Sequence, residues 1–231
     1  MRRVPRRPRL PARRRNRVLL AAAATLTVLL AAVGVLWLTP VMSVGAIEVT
    51  GTDRLSEPEV VAALAVPEGT PLMQVDTSAA AHRVAGIARV AEVSVHREFP
   101  STIRVDVMER VPVAYRDSGD GPHLLDKLGV DFAAEPPPPG LPKITMADPG
   151  DAELLRAVLQ TVGGLPPELR GQITSIDVGS PSDISFGLTD GRTLVWGSVE
   201  RSGLKAPVAL AVLHQPGQTI DVSSPNLPTT K

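Results

Sequence analysis

The chain has 231 residues, 24 Lys+Arg against 24 Asp+Glu, no cysteine and six aromatic side chains. The zero balance hides a division: nine arginines lie in residues 1–17 and the first acid is Glu48, so taking those nine away leaves 15 basic residues facing all 24 acids. Without cysteine there is no disulfide framework, cysteine–zinc site, thiol catalysis or lipid-modified cysteine, and so few rings make a glycan- or nucleic-acid-stacking platform a poor reading.

The first expected element is a membrane helix. Val18–Leu38 (VLLAAAATLTVLLAAVGVLWL) is uncharged, and at about 1.5 Å per helical residue it covers the ~30 Å of a bilayer core. Thr25 and Thr27 can bond back to the helix, and Trp37 stands where an interfacial ring anchors the outer end. The Arg-rich residues 1–17 on one side and the acidic chain on the other predict a cytoplasmic N-terminus and an exported C-terminus. A cleaved signal peptide is the alternative, with small residues at Val44–Ala46 (VGA), but the apolar run exceeds the 7–15 residues of a signal core. Beside such a span, topology and attraction to anionic membrane lipid explain the arginines without nucleic acid.

Ile47 and Val49 alternate with Glu48 and Thr50 as a short strand. Ser56 and Glu59 stand at capping-box spacing, with Pro58 in the first helical turn and Val60, Val61 and Leu64 as an apolar stripe. Pro67, Gly69 and Pro71 break that helix. A second helix is expected from about Thr77, with Ala80, Val84 and Ile87 on one face and Arg83 on the other. Ala91, Val93 and Val95 then alternate with Glu92, Ser94 and His96. After a Phe99-Pro100 turn, Ile103, Val105 and Val107 alternate with Arg104, Asp106 and Met108, which predicts a hairpin with one buried face. The order β-α-α-β-β describes a three-stranded sheet backed by two helices, one small α+β domain.

These residues resemble the POTRA domain of the FtsQ/DivIB family of bacterial cell-division proteins. The likeness rests on VGAIEVTGTDRLS, EGTPLMQVD and VAEVSVHREFPSTIRVDVMERVPVAY. Within the last, Arg97, Phe99, Pro100, Glu109, Arg110, Pro112 and Ala114 stand in the family's spacing, Phe99 replacing a more usual Trp. Further on, PHLLDKLGVDF is similar to the family's Asp-x-x-Gly hairpin, and Leu141-Pro142 precedes a strand as in the family. A helix is expected over Asp151–Val162, striped by Leu154, Leu155, Val158 and Leu159 and ended by Gly163-Gly164. Two strands follow around Asp190-Gly191, a dipeptide that suits a type I′ turn. Leu204–Leu213 reads as a short helix with Pro207 tolerable only near its start, and QTIDVSSPNLPTT as a strand and an extended tail, similar to actinobacterial members.

The expected architecture is α+β, in five parts. Residues 1–17 form a cytoplasmic tail, 18–38 a transmembrane helix (Val18 to Leu38) and 43–111 the POTRA domain. An FtsQ-type β domain of antiparallel strands with two helices occupies 112–223, and 224–231 a C-terminal tail.

Motifs for chemistry are missing. His82, His96, His123 and His214 are isolated, without ligand spacing. There is no nucleophile elbow, Walker loop or dinucleotide fingerprint. Asp183 and Asp190 sit by turns, where aspartate favours local backbone bonding. Pro136–Pro139 reads as a stiff spacer rather than a polyproline ligand. No cofactor, metal or small-molecule substrate is expected.

What remains is backbone: an open sheet leaves edges that accept a strand. Thr219, Ile220, Asp221, Val222 and Ser223 form the last strand and the candidate partner-binding edge, with nothing after it expected to be long enough to cover it; the alternative is an ordinary edge blunted by Pro225 and Pro228. The resemblance favours the first, since in the family this region receives small proteins of the FtsB/FtsL type. Phe99 and Pro100 are expected to shape the turn, and Pro112 to stiffen the junction between domains. The resemblance implies a non-catalytic divisome scaffold, single-pass in the plasma membrane and enriched at the septum. A POTRA-type assembly or translocation factor of the envelope is the alternative.

Overall fold

A computed structural model describes residues 20–31, 34 and 42–231. Residues 20–31 are helical, and the Thr25 and Thr27 hydroxyls donate to the carbonyls of Ala21 and Ala23, both at 2.9 Å. Among the described residues no helix is long and apolar enough to cross a membrane; the expected tail 1–17 and much of the expected span Val18–Leu38 lie outside them.

From residue 42 on, the chain divides into two units, one of residues 42–86 with 92–107, the other of 87–91 with 108–231. The first contains β1 (Ala46–Thr50), α1 (Glu57–Leu64), a 3₁₀ turn (Leu72–Gln74), α2 (Thr77–Ala85) and most of β2 (Val90–Glu98) and β3 (Thr102–Glu109). Its sheet order is β1-β3-β2, β1 running parallel to β3 with Ile47 opposite Ile103 and Val49 opposite Val105. Ile103, Val105 and Val107 are buried with Val60, Leu64, Leu72, Ala80 and Val84, which is the expected sheet-on-helices core.

Local details depart from expectation. Ser56 caps α1 by position, yet its side chain makes no capping bond. Val61, about 100° round the helix from Val60, falls outside the buried face and is exposed. α2 ends at Ala85, before Ile87, and its cap is Asp76, whose carboxylate accepts from Ala79 N at 2.9 Å. Arg83 is exposed as expected, but its guanidinium donates to Leu64 O at 2.6 Å and so closes the C-terminus of α1. In β2 the buried residues are Val90 and Val95, while Ala91 is exposed. A buried pair five positions apart breaks the two-residue alternation that placed Ala91 inside. Phe99 and Pro100 form the β2–β3 turn, with Phe99 57% exposed.

The second unit carries a nine-stranded sheet, ordered β12-β11-β10-β9-β8-β7-β4-β5-β6. The strands are β4 (Pro112–Ser118), β5 (Gly121–Asp126), β6 (Asp131–Ala134), β7 (Lys143–Met146), β8 (Ile173–Ser180), β9 (Asp183–Leu188), β10 (Thr193–Gly197), β11 (Thr219–Asp221) and β12 (Thr229–Thr230). The sheet is mixed, not antiparallel: β4–β7, β7–β8 and β10–β11 run parallel. Three helices accompany it, not two: α3 (Ala152–Gly163), α4 (Pro167–Arg170) and α5 (Ser202–Val212). A helix between two neighbouring strands is the crossover that parallel pairing requires, and that is what α3 does between β7 and β8, and α5 between β10 and β11.

Pro112 opens β4, a first-strand position where a missing N–H costs no ladder bond. The Asp-x-x-Gly turn forms as expected, Asp126 Oδ1 accepting from Leu128 N at 2.8 Å and Val130 N at 2.9 Å. α3 buries Leu155, Val158, Leu159 and Val162, with Leu154 packed against the same core. The β9–β10 connection is wider than a type I′ turn. Leu188 N donates to Arg192 O at 2.8 Å, and Asp190, which does not adopt the positive φ that turn demands, accepts from Arg192 N instead. Pro207 lies inside α5, not near its start; the carbonyl it leaves unbonded belongs to Gly203, which is exposed to water.

Candidate partner-binding edge

The candidate strand is assembled by the β10–α5–β11 crossover. β11 lies parallel to β10, with Thr193 opposite Thr219, Leu194 opposite Ile220 and Val195 opposite Asp221. The ladder extends one residue further, because Val222 N donates to Val195 O at 3.0 Å. Alternation then sorts the five residues. Ile220 and Val222 are fully buried, in one core with Leu194, Trp196, Ala209, Val212 and Leu213. Thr219, Asp221 and Ser223 are half-buried, and Asp221 Oδ1 accepts from Ser223 N at 2.9 Å.

Two cationic side chains hold this corner. Arg192 donates to Leu213 O at 2.6 Å and Gln215 O at 3.1 Å, tying the end of α5 to the β9–β10 loop, and Asp190 receives its Nε at 2.7 Å. Backbone bonding from Arg192, then its guanidinium, holds the Asp190 carboxyl below the usual carboxylate range. This is the local backbone role expected at that turn. Lys205, 1% exposed, donates its Nζ to Trp196 O at 2.9 Å and Ser198 O at 2.7 Å. Burial away from water, then Arg201, lowers its pKa. Trp196 packs against Phe186 with the rings tilted by 43° at a 5.4 Å centroid separation and donates Nε1–H to Ser202 Oγ. A buried lysine bonded only to two carbonyls has no signature readable from sequence.

β11 is not the free edge that the sequence suggests. Its outer side is occupied by β12, antiparallel, with Ile220 opposite Thr230 and Asp221 opposite Thr229. Pro225 and Pro228 bend the intervening chain back instead of preventing pairing, because both precede the two residues that pair. Of the other singled-out residues, Phe99 and Pro100 belong to the first unit, and Pro112 and Thr219–Ser223 to the second.

Elsewhere in the second unit, a cavity of about 290 Å³ is lined by Arg116, Asp117, Lys143, Thr145, Met146 and Leu155. Its cations are already paired, Lys143 with Asp117 at 2.6 Å and Arg116 with Asp131 at 3.1 Å, and the Asp117 hydrogen bond raises the Lys143 pKa. Among the described residues no three His, Asp or Glu side chains are placed to hold a metal ion.

With that geometry in view, comparison with known proteins is informative. Residues 42–110 match the POTRA domain, FtsQ-type, and residues 114–223 match the FtsQ/DivIB C-terminal domain of cell division proteins. The chain is 50% identical over 212 residues to cell division protein FtsQ of Mycobacteroides abscessus, covering 89% of this chain and 68% of that protein. Against FtsQ of Corynebacterium glutamicum it is 32% identical over 220 residues, covering 94% of this chain and 99% of that protein. The chain spans about two thirds of the length of the mycobacterial relatives. Among solved structures, the major extracytoplasmic domain of DivIB from Geobacillus stearothermophilus matches at TM-score 0.36 and 16% identity, over 47% of this chain and 89% of that one.

Proposed function

The chain belongs to the FtsQ/DivIB family of bacterial cell division proteins, and from that premise we propose that it is a membrane-anchored, non-catalytic scaffold of the division machinery. In this reading it binds other bitopic division proteins, of the FtsB and FtsL type, outside the plasma membrane and supports septum formation. The observation that carries the reading is the run of two family matches in the family's order, POTRA first and the FtsQ/DivIB C-terminal domain second, over residues 42–223. The assembly-factor alternative gains nothing from the fold. A POTRA-type unit followed directly by an FtsQ/DivIB C-terminal domain is not the series of POTRA units leading into a barrel that such a factor would need.

The anchor is residues 18–38, supported by their uncharged sequence and by the arginines before them; the protein then crosses the membrane once, with its N-terminus in the cytoplasm, and gathers at the septum. The docking surface is the β11 side of the second unit, supported by strand parity, which leaves Thr219, Asp221 and Ser223 on the side away from the core. Strand addition supplies main-chain hydrogen bonds as affinity and alternate side chains as specificity.

Depletion in a strain with no second copy tests the function: filamentous cells without septa are expected, and normal septation overturns the reading. Deleting residues 18–38 tests the anchor. The full chain should resist alkaline extraction of membranes and the deleted chain should not; equal retention overturns the anchor.

A further inference from the structure

The segment Thr229–Lys231 is bound in the manner of a partner strand. Lys231 N donates to Thr219 O and Lys231 O accepts from Thr219 N, both at 2.9 Å, and Gln218 N reaches the same Lys231 oxygen. The pairing continues through Ile220–Thr230 and Asp221–Thr229. Side chains contribute little: Thr229 and Lys231 are exposed, Thr230 is half-buried and Leu227 is 78% exposed. The segment is therefore held by its backbone, which is the part of an interaction that any extended chain can copy.

The seat is nonetheless shaped for a backbone. Gly217 has φ 139°, and a Cβ there would lie 2.8 Å from Lys231 O and 3.1 Å from Lys231 N. Only glycine allows the neighbouring strand this close. At the other end, Gly197 has φ 77°, and its Cβ would meet that of Ser223 at 2.8 Å, so the exit of β11 is pressed against the end of β10. Pro225 is buried and fixes the start of the returning loop. A short tether of this kind presents its strand at an effective concentration on the order of millimolar. That is enough to cover an edge that would otherwise pair with any exposed strand, yet weak enough to yield to a longer one.

We propose that Thr229–Lys231 is a built-in placeholder. In the free chain it fills the strand-acceptor side of β11, and it is displaced when an extended segment of a partner takes its place, antiparallel to β11. The occupant is recognised first by its main chain, and it must be longer than the three-residue segment it replaces. This inference rests on the docking reading given above, with which it shares a surface.

The chain has no cysteine, so a single engineered pair gives an unambiguous lock. In the full-length chain carrying D221C and T229C, oxidation ties β12 to β11. Co-purification of the co-expressed FtsB- and FtsL-type proteins from detergent extracts is expected to fall at least tenfold on oxidation and to recover on reduction. Equal capture by oxidised and reduced chains overturns the placeholder and moves docking to another surface. No capture by the unsubstituted chain overturns the docking reading, and the placeholder falls with it; capture by the unsubstituted but not by the reduced chain assigns the loss to the Asp221 substitution, and hydrogen exchange then decides. Should the cysteine pair impair folding, hydrogen exchange on the unsubstituted chain decides. On saturation with partner, the Lys231 amide should lose protection while the Thr219 amide keeps it. Continued protection of Lys231 overturns the placeholder.

Discussion

His123 sits between two carboxylates, its Nδ1 at 2.8 Å from Asp131 Oδ2 and its Nε2 at 3.0 Å from Asp120 Oδ1, while Arg116 meets the same Asp131 at 3.1 Å. Both ring nitrogens face acceptors, so the doubly protonated ring alone satisfies both. The Asp131 hydrogen bond, opposed by loss of hydration and helped by Asp120, raises the His123 pKa. Asp120 is correspondingly lowered, by a backbone hydrogen bond first and by His123 second. A folded pKa above the unfolded value, ~6.5, adds stability that is complete below that value and disappears as pH rises through the folded pKa. Urea midpoints should therefore fall as pH rises from the mid-acidic to the mildly alkaline range, and His123→Gln should flatten that part of the profile. An unchanged slope in the variant would remove His123 as its cause. Among buried groups, Asp126 (4% exposed) receives Arg110 Nη1 at 2.6 Å as well as two turn amides. Asp126→Ala removes the carboxylate from the Arg110 guanidinium, which keeps only its Nε bond to Ala88 O, and leaves two N–H groups without their acceptor; a loss of about 3–5 kcal/mol is expected by urea denaturation. Both halves of this pair stood in motifs visible in the sequence. That Glu-Arg-x-Pro-x-Ala and Asp-x-x-Gly meet was not visible, because sixteen residues separate Arg110 from Asp126 and no periodicity links them.

Among the elements, helix starts give the cleanest contrast between spacing and structure. Ser56 satisfies the capping-box pattern but makes no capping bond, whereas Asp76 and Asp151 accept from Ala79 N and Leu154 N, both at 2.9 Å. Asp76→Ala and Asp151→Ala should each cost about 1 kcal/mol, and Ser56→Ala no more than about 0.5 kcal/mol. Denaturation of the three variants checks the order, and a Ser56 effect equal to the others would restore the capping box. Strand and helix existence was legible wherever apolar residues recur with a period, as in β3 and α3. Pairing direction was not legible: a helix between β7 and β8 permits parallel pairing, but only once the two strands are neighbours, which no local pattern states. The two-residue β12 was not legible, since Thr229-Thr230 has no period to read and follows two prolines. Its pairing depends on where β11 happens to lie.

For the molecule as a whole, the two units build separate cores, and the proposed docking strand, β11, belongs to the larger sheet. Ile220 and Val222 are fully buried there, so charge placed on either acts through stability rather than through an interface. Ile220→Asp is expected to cost more than about 4 kcal/mol. Trp196, buried in the same core, should report this as a red-shifted emission already present without denaturant. Emission equal to that of the unsubstituted chain would show that the core tolerates the carboxylate. Thr219 and Asp221, half-buried and turned from the core, are on the proposed docking reading the positions at which substitution alters docking while the sheet stays folded. The sequence by itself determined the family, the order of the two units and most of their strands and helices, because each rests on local periodicity, turn chemistry and motif order. Only the tertiary structure decided that the large sheet is mixed, that Lys205 and Asp126 are buried with partners, and that β11 is already covered. Each of these depends on which distant backbone groups come within hydrogen-bond reach, and local sequence does not encode that distance.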